Sequence, residues 1–216
     1  MTSIMQAQST DDPIAEVLDG FGARRAAYDD VFFKFNLPEI GMALLVDVIV
    51  RRRHRRRQVE VRACLYTPTG ATVHTEFFPL SALKRDGDGA VVVANTWIGP
   101  TGSRGAVGPV NWDLVFQPMG PLLDPQVTGA LRPFDLRLRS VPDVTISGNV
   151  SVDHHGYTFS HEPGTVGTSF GRRLPDRWYW VSANSFREPG VTLECMLLDS
   201  RVFGLPFLRA RIGYFH

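Results

Sequence analysis

A short segment around position 180 carries the densest set of side chains that could hold a ligand. It reads Arg177-Trp178-Tyr179-Trp180-Val181-Ser182-Ala183-Asn184-Ser185-Phe186. As a β-strand, it places Trp178, Trp180 and Asn184 on one face. Indole N–H groups and a carboxamide all need hydrogen-bond partners, which a ligand cavity with a few polar groups provides. The alternative is a core in which neighbouring carbonyls satisfy the tryptophans.

Residues 157–162 carry the side chains best suited to proton transfer. Strand alternation puts Tyr157, Phe159 and His161 on one face and Glu162 on the other. A buried imidazole beside a carboxylate could act as an acid or base, because burial raises the pKa of a carboxyl group and favours neutral imidazole. We therefore expect Glu162 and His161 to be catalytic and Tyr157 and Phe159 to bind the ligand. A structural His161 is the alternative.

A third aromatic face lies in the segment Val110-Asn111-Trp112-Asp113-Leu114-Val115-Phe116. Trp112 shares its face with Leu114 and Phe116. We expect Trp112 to face the same interior cavity as Trp178 and Trp180.

The sequence gives little indication of metal binding or of cofactor binding. His154, His155, His161 and Glu162 fit no standard metal-ligand spacing, so no metal is expected. The glycines of residues 99–108 do not follow a strand and open a helix, as a phosphate cradle would, and no cofactor is expected.

The charge balance argues against nucleic acid as a partner. The chain has 23 Lys+Arg and 22 Asp+Glu, for a formal charge of +1. The basic run Arg51–Arg57 lies between two strand patterns and lacks interleaved aromatic residues, which predicts a solvated hairpin loop. Peripheral contact with an anionic membrane is the alternative for this run.

The expected location is the cytoplasm. The only cysteines, Cys64 and Cys195, lie in apolar segments and cannot form a disulfide scaffold. The polar segment 1–12 lacks the basic and apolar regions of a secretion signal.

Hydrophobic periodicity predicts an all-β protein. A short helix begins at Pro13 after Asp12 as N-cap, and a period of two dominates from Val31 onward. Many short strands joined by turns, without crossover helices, indicate an antiparallel barrel. Residues 1–12 are expected to form a flexible tail and residues 13–216 a single domain. Arg137 and Arg139 are predicted to point to solvent, and residues 99–109 to form an irregular loop. The expected strands are Val31–Leu37, Met42–Arg51, Val59–Tyr66, Ala71–Phe78, Ala90–Trp97, Val110–Gln117, Arg132–Arg139, Val144–Asp153, Tyr157–Glu162, Trp178–Phe186, Val191–Leu197 and Pro206–Tyr214.

Residues 156–186 resemble a known signature. The residues that carry it are Gly156-Tyr157, Ser160-His161-Glu162-Pro163-Gly164, Phe170 and Leu174 through Phe186. They are similar to tocopherol cyclase and to related lipocalin-like proteins, which include carotenoid 1,2-hydratases and fungal decalin-forming Diels–Alderases. The resemblance implies a lipocalin-like (calycin-type) barrel that holds a prenylated or polyene substrate.

The resemblance also implies a function. A cofactor-independent cyclase or isomerase would act on a lipophilic, prenyl- or polyketide-derived substrate, and the alternative is a non-catalytic carrier of the same shape. The family pattern often has an acid, then Lys or His, then Asn, which places Ser160 at the acid, His161 at the base and Glu162 at the Asn. Ser160 cannot protonate an alkene, so Glu162 would have to supply the proton.

The resemblance covers the first of two barrel-like halves found in family members. A surface made for the second half should be apolar, and the C-terminal segment is rich in apolar residues. The expected assembly is a homodimer or a complex with a separately encoded half, and a self-sufficient monomer is the alternative. The apolar residues concerned are Leu205, Phe207, Leu208, Ile212, Tyr214 and Phe215.

Overall fold

The computed structural model describes residues 12–24, 26–52, 57–124, 136–172, 177–186, 188, 191–202 and 205–215. For Trp178 and for residues 198–202 and 205–215, it describes the backbone and not the side chains. The elements are α1 (Pro13–Leu18), β1 (Tyr28–Leu37), β2 (Met42–Arg51), β3 (Gln58–Thr67), β4 (Gly70–Pro79), β5 (Leu83–Arg85), β6 (Val91–Val93), β7 (Thr96–Gly99), β8 (Gly102–Val107), β9 (Val110–Pro118), β10 (Arg137–Val152), β11 (His155–Gly171), β12 (Arg177–Ala183), β13 (Leu193–Val202) and β14 (Leu205–Phe215). Two single 3-10 turns, Pro38–Ile40 and Leu80–Ala82, follow β1 and β4.

The strands form two antiparallel sheets. The larger has eleven strands in the order β4-β3-β2-β1-β11-β10-β9-β8-β7-β6-β5, and the smaller has the order β12-β13-β14. The larger sheet curls into a nearly closed barrel whose inward side chains form one continuous apolar core. The predicted fold class, an antiparallel lipocalin-like barrel with a short N-terminal helix, is confirmed.

The interior of the barrel is packed with aromatic and branched side chains. On β1, Phe33 and Phe35 point inward and are fully buried. The ring of Phe33 lies 6.2 Å from that of Trp112 and 5.4 Å from that of Phe116, between ring centroids. Such packing accounts for the alternation of buried and exposed residues in β9, because every second residue of that strand fills this space.

Helix α1 lies against one end of the barrel. The carboxylate of Asp12 accepts hydrogen bonds from the backbone N–H groups of Ile14 and Ala15, and Pro13 occupies the first turn. Its apolar side chains Ile14, Val17 and Leu18 are buried in the barrel core. Of the expected flexible tail, Asp12 alone belongs to the described residues, and there it caps the helix. Within the described ranges, no helix has the length and apolar character needed to cross a membrane.

Two further details differ from the sequence analysis. Residues 102–107, predicted as part of a loop, form β8, whose glycines leave room for the neighbouring strand: a Cβ atom on Gly102 would lie 2.1 Å from the carbonyl oxygen of Leu114. The predicted strand Ala90–Trp97 is a tight hairpin of β6 and β7 that turns at Ala94, with φ of 50°.

Two predicted segments fall partly outside the described residues. The basic run Arg51–Arg57 connects β2 to β3, and its residues 53–56 are not described. The predicted strand Arg132–Arg139 is described from residue 136 onward, and from Arg137 it is continuous with the next predicted strand, so that both belong to β10.

The two arginines predicted to point to solvent have different surroundings. Arg137 is exposed. Arg139 donates to the carbonyl oxygen of Glu16 at 2.9 Å and lies 3.3 Å from the carboxylate of Asp124, so it ties β10 to the helix end of the barrel.

The second sheet covers the outer face of β1 and its neighbours. Trp180 of β12 packs edge-on against Phe32, with ring centroids 5.1 Å apart. The side-chain amide of Asn184 donates to the carbonyl oxygen of Gly164 in β11 at 2.6 Å. Strand β1 is therefore buried on both faces, with the barrel core on one side and the second sheet on the other.

The fold makes a specific prediction at Gly148. Its φ is 142°, and a Cβ atom there would lie 2.2 Å from the carbonyl oxygen of Asp113. We expect Gly148→Ala to lower the free energy of unfolding by about 2 kcal/mol or more, measured by urea denaturation. Gly156→Ala is the matched control in the same hairpin, since no atom lies within 4 Å of its Cβ position. Equal stability of the two variants would contradict the strand pairing of β9 and β10.

Candidate active site between the barrel and the second sheet

Trp112 belongs to the barrel core. Its indole N–H donates to the hydroxyl of Ser103 at 2.9 Å, and that hydroxyl donates to the carbonyl oxygen of Trp97 at 2.9 Å. Trp112 packs with Phe33, on the inner face of β1, whereas Trp180 packs with Phe32, on the outer face. The expectation that Trp112 and Trp180 converge on one interior cavity is therefore wrong, because the sheet separates them. The side chain of Trp178 lies outside the described part of the structure.

A β-bulge changes the faces assigned to residues 157–162. Phe159 pairs with Gly148 and Glu162 pairs with Ile146, so Ser160 and His161 together oppose the single residue Ser147. At the bulge, His161 has a backbone φ of 62°. Its backbone N–H donates to the hydroxyl of Ser147 at 2.9 Å.

The bulge brings Glu162 to the inner face and moves His161 to the surface. Phe159 stacks on Phe35 at 4.9 Å between ring centroids, and half-buried Tyr157 lies opposite Val150 of the core. Glu162 is half-buried opposite Ile146, and burial, followed by the charge of Glu39, raises its pKa. His161 is exposed and shares a 2.5 Å hydrogen bond with Ser160. The sequence-based expectation that Glu162 and Phe159 lie on opposite faces is wrong, because simple alternation does not survive the extra residue.

A cluster of polar side chains lies in the interface between the outer face of the barrel and strands β12 and β13. Lys34 projects from β1 beside Trp180, with its Nζ atom 5.7 Å from the ring centroid, and donates to the carbonyl oxygen of Ser182 at 3.3 Å. Ser140 of β10 donates to Oε2 of Glu194 at 2.9 Å. The register of β12 and β13 places Ser182 directly opposite Glu194, so these groups share one face of the second sheet.

Burial controls the protonation of the two ionisable groups in this cluster. Glu194 is only 8% exposed, and burial raises its pKa, although the hydrogen bond from Ser140 and the charge of Lys34 oppose the rise. Burial lowers the pKa of Lys34, although the charge of Glu194 opposes that shift. The pKa values of the acid and the base thus move towards each other, as in sites that transfer protons.

Two oxygen atoms in the cluster are buried and have no hydrogen-bond partner among the described residues. They are Oε1 of Glu194 and Oδ1 of Asn184. The amide nitrogen of Asn184 is fixed by the carbonyl oxygens of Pro142, at 3.0 Å, and Gly164, at 2.6 Å, which directs its oxygen away from those strands. A buried polar atom without a partner is costly, so Oδ1 of Asn184 needs a hydroxyl or water donor. Oε1 of Glu194 needs such a donor when the carboxyl group is ionised and an acceptor when Oε1 carries the proton.

A second set of ionisable side chains lies further along the outer face of the barrel sheet. Asp47 forms a two-bond pair with Arg62, at 2.7 and 2.8 Å. Burial, followed by the charge of Asp47, raises the pKa of Asp30 well above its ordinary value. Oδ1 of Asp30 and the hydroxyl of Tyr28 are buried without a hydrogen-bond partner in the described chain. The polar character of this face therefore extends along β1 from Lys34 to Tyr28.

Sequence reasoning found Asn184 and Trp180 but missed Lys34 and Glu194. A signal was present on β1, where Phe32, Phe33 and Phe35 fill both faces and Lys34 interrupts them. A strand with apolar residues on both faces is buried on both, so a charged residue within it must be desolvated and paired. Of the residues predicted from sequence, the structure brings together Trp180 and Asn184, and it places Trp112, Phe159 and Glu162 on the other side of the sheet.

A lipocalin-like barrel that carries a second sheet on its outer face defines the class of fold, and two solved structures share it. One is a protein from Nitrosomonas europaea assigned as AttH: 98% of this chain covers 71% of that protein, with a TM-score of 0.64 and 11% identity. The other is kievitone hydratase from Nectria haematococca: 91% of this chain covers 64% of that enzyme, with a TM-score of 0.59 and 10% identity. This chain thus spans less than two thirds of kievitone hydratase. No protein-family model and no curated protein matches the sequence.

The site makes a spectroscopic prediction. Because burial raises the pKa of Glu194, a protonated carboxyl group should persist at a pH above 4.5, the ordinary value for glutamate. The infrared C=O band of that group should disappear in Glu194→Gln and remain in Ser160→Ala. A wild-type spectrum identical to that of Glu194→Gln above pH 4.5 would show that Glu194 is ionised.

Proposed function

We propose that this protein is a cofactor-independent enzyme that adds an O–H group across a carbon–carbon double bond of a lipophilic substrate held between the barrel and the second sheet. The observation that carries the proposal is a pair of buried oxygen atoms without a hydrogen-bond partner among the described residues, Oε1 of Glu194 and Oδ1 of Asn184, in the interface to which Trp180 also contributes. The fold shared with kievitone hydratase is consistent with this class of reaction.

The proposed reaction begins with proton transfer from Glu194. Neutral Glu194 gives its proton to one alkene carbon, and the positive charge develops on the other carbon. The indole of Trp180 steadies that charge by cation–π attraction, about 0.5–2 kcal/mol. An O–H group held at Oδ1 of Asn184 adds to the cation and returns its proton to the Glu194 carboxylate, so the enzyme ends as it began.

The source of the O–H group separates two forms of the reaction. A bound water gives a hydratase, and a hydroxyl of the substrate itself gives a cyclase. The cyclase form is the function expected from the sequence. The polar groups between the barrel and the second sheet favour a substrate with hydroxyl groups, because Asn184, Glu194 and Asp30 each have a buried oxygen atom without a hydrogen-bond partner among the described residues.

Lys34 stabilises the ionised form of the acid in this mechanism, whereas burial favours the neutral form. A positive charge at Lys34 stabilises Glu194 after it has given up its proton, and their mutual effect on each other's pKa shows the coupling. Lys34 is therefore a positioning residue that acts through Glu194.

We expect Glu194→Gln to lower kcat by about 10²- to 10⁴-fold while leaving substrate binding almost unchanged, because the amide keeps the shape but loses the proton. The assay uses a prenylated phenol and a linear isoprenoid alkene in heavy water, where deuterium on carbon reports proton transfer. Glu162→Gln is the matched control. If Glu162→Gln loses activity and Glu194→Gln does not, the acid is Glu162, as the sequence suggested, and the proposed site is wrong.

Ligand binding should change the fluorescence of Trp180 and not that of Trp112. We expect Trp180→Phe to remove most of the ligand-induced change in emission and Trp112→Phe to preserve it, since Trp112 lies in the packed core. The reverse result would place the ligand inside the barrel.

The alternative function is that of a carrier for a lipophilic small molecule. The amide of Asn184, held by two hydrogen bonds to backbone carbonyl oxygens, would orient such a ligand without a reaction. A carrier would bind the same two compounds and release them unchanged, with no deuterium incorporated at carbon. Glu194→Gln would then affect affinity alone.

A further inference from the structure

Strand β4 forms an exposed edge of the barrel sheet. Its ten residues, Gly70 to Pro79, pair with β3, and no other strand in the described part of the chain pairs with it. Val73 and Phe77 are 57% and 63% exposed. The other edge, β5, has only three residues. A ten-residue edge strand that has exposed apolar side chains and no lysine is a template for another strand, and proteins normally protect such edges.

The register of β3 and β4 determines which backbone groups of β4 point outward. The two strands join through a two-residue turn closed by the pair Thr67 and Gly70. In such a hairpin the closing pair exchanges backbone hydrogen bonds, and the exchange recurs at every second pair. The even-numbered residues of β4 thus bond to β3, and Val73, Thr75 and Phe77 present their N–H and C=O groups at the edge.

The sequence of this edge is complementary to itself. It reads Val73-His74-Thr75-Glu76-Phe77. When two copies pair antiparallel about Thr75, Val73 lies opposite Phe77 of the second copy and His74 lies opposite Glu76. All three outward-bonding positions then face outward-bonding positions. The apolar cross-strand pair stabilises such a ladder, and the imidazole of His74 can donate a hydrogen bond to the carboxylate of Glu76 in the second copy.

Neighbouring features set the length of the ladder. Pro79 has no N–H group, so the ladder ends between Phe77 and Pro79. The turn at Gly108 contacts β4 through side chains: its N–H donates to Oε1 of Glu76 at 3.1 Å. Because β4 makes this contact through a side chain, its outward backbone N–H and C=O groups pair with no other strand in the described structure.

We infer that β4 docks against β4 of a second copy of this chain, in an antiparallel two-fold pairing centred on Thr75, to form a homodimer with a continuous intermolecular sheet. Such a two-fold contact is closed and does not lead to fibres. It uses a surface different from the C-terminal segment that the sequence analysis suggested.

Charge reversal tests both the surface and its register. His74→Glu alone would place glutamate opposite glutamate, and Glu76→Lys alone would place lysine opposite histidine. We expect each variant to dimerise at least about tenfold more weakly than the wild type in sedimentation velocity. Thermal denaturation checks that both variants fold.

Mixing the two variants tests the pairing itself. In a mixed dimer, the glutamate introduced at position 74 of one copy faces the lysine introduced at position 76 of the other. The second cross-strand pair keeps the wild-type Glu76 and His74. We therefore expect an equimolar mixture to recover dimers, although each variant alone does not.

Cross-linking gives an independent measurement. In a background in which Cys64 and Cys195 are both replaced by alanine, Thr75→Cys should form a disulfide-linked dimer on mild oxidation, since directly opposite residues lie within disulfide reach. Ala71→Cys is the control, because its counterpart lies far along the ladder. A wild-type monomer at high micromolar concentration, or mixed variants that fail to recover dimers, would overturn the inference.

Discussion

The structure depends on the burial of β1 on both of its faces. Phe33 and Phe35 contribute to the barrel core, while Phe32 and Lys34 lie beneath the second sheet. The outer face cannot be covered by apolar side chains alone, because Lys34 projects from it. Polar groups in this layer therefore bond to one another: Lys34 donates to the carbonyl oxygen of Ser182, and Ser140 donates to Glu194. The hydroxyls of Thr165 and Ser182 share a further hydrogen bond. The polar side chains of the candidate site therefore lie where β1, which carries Lys34, is covered by the second sheet.

The barrel itself could be predicted from the sequence to a large extent. The bounds of β2 agree with the predicted Met42–Arg51, and those of β3, β4 and β9 differ by at most one residue at each end. The clearest case is β9, where buried and exposed residues alternate strictly because one face of the strand fills the barrel. The predictions were wrong where glycine replaced the apolar residues, as in β8, since the role of Gly102 is to admit a neighbouring backbone, and that role is visible only once Leu114 is beside it.

The candidate site could be predicted only in part, for two physical reasons. Alternation assigns faces within one strand, but it does not say that the face of Trp112 and the face of Trp180 lie on opposite sides of the same sheet. A non-glycine bulge at His161 has no reliable signal in sequence, because the strain at φ of 62° is compensated by the hydroxyl of Ser147 on the next strand. The Lys34–Ser182 contact joins residues 148 positions apart, and no local pattern specifies it.

The bulge also determines which face of the sheet Glu162 occupies. Regular alternation would have turned Glu162 away from the face of Phe159. One extra residue restores Glu162 to that face, opposite Ile146. The inner and outer faces of the sheet therefore each hold a carboxyl group whose pKa burial raises, Glu162 at the barrel interior and Glu194 beneath the second sheet. The two carboxyl groups differ in their burial and in their neighbouring residues. Glu162 is half-buried near another acid, Glu39, whereas Glu194 is more deeply buried and lies near Lys34, whose positive charge favours the carboxylate form.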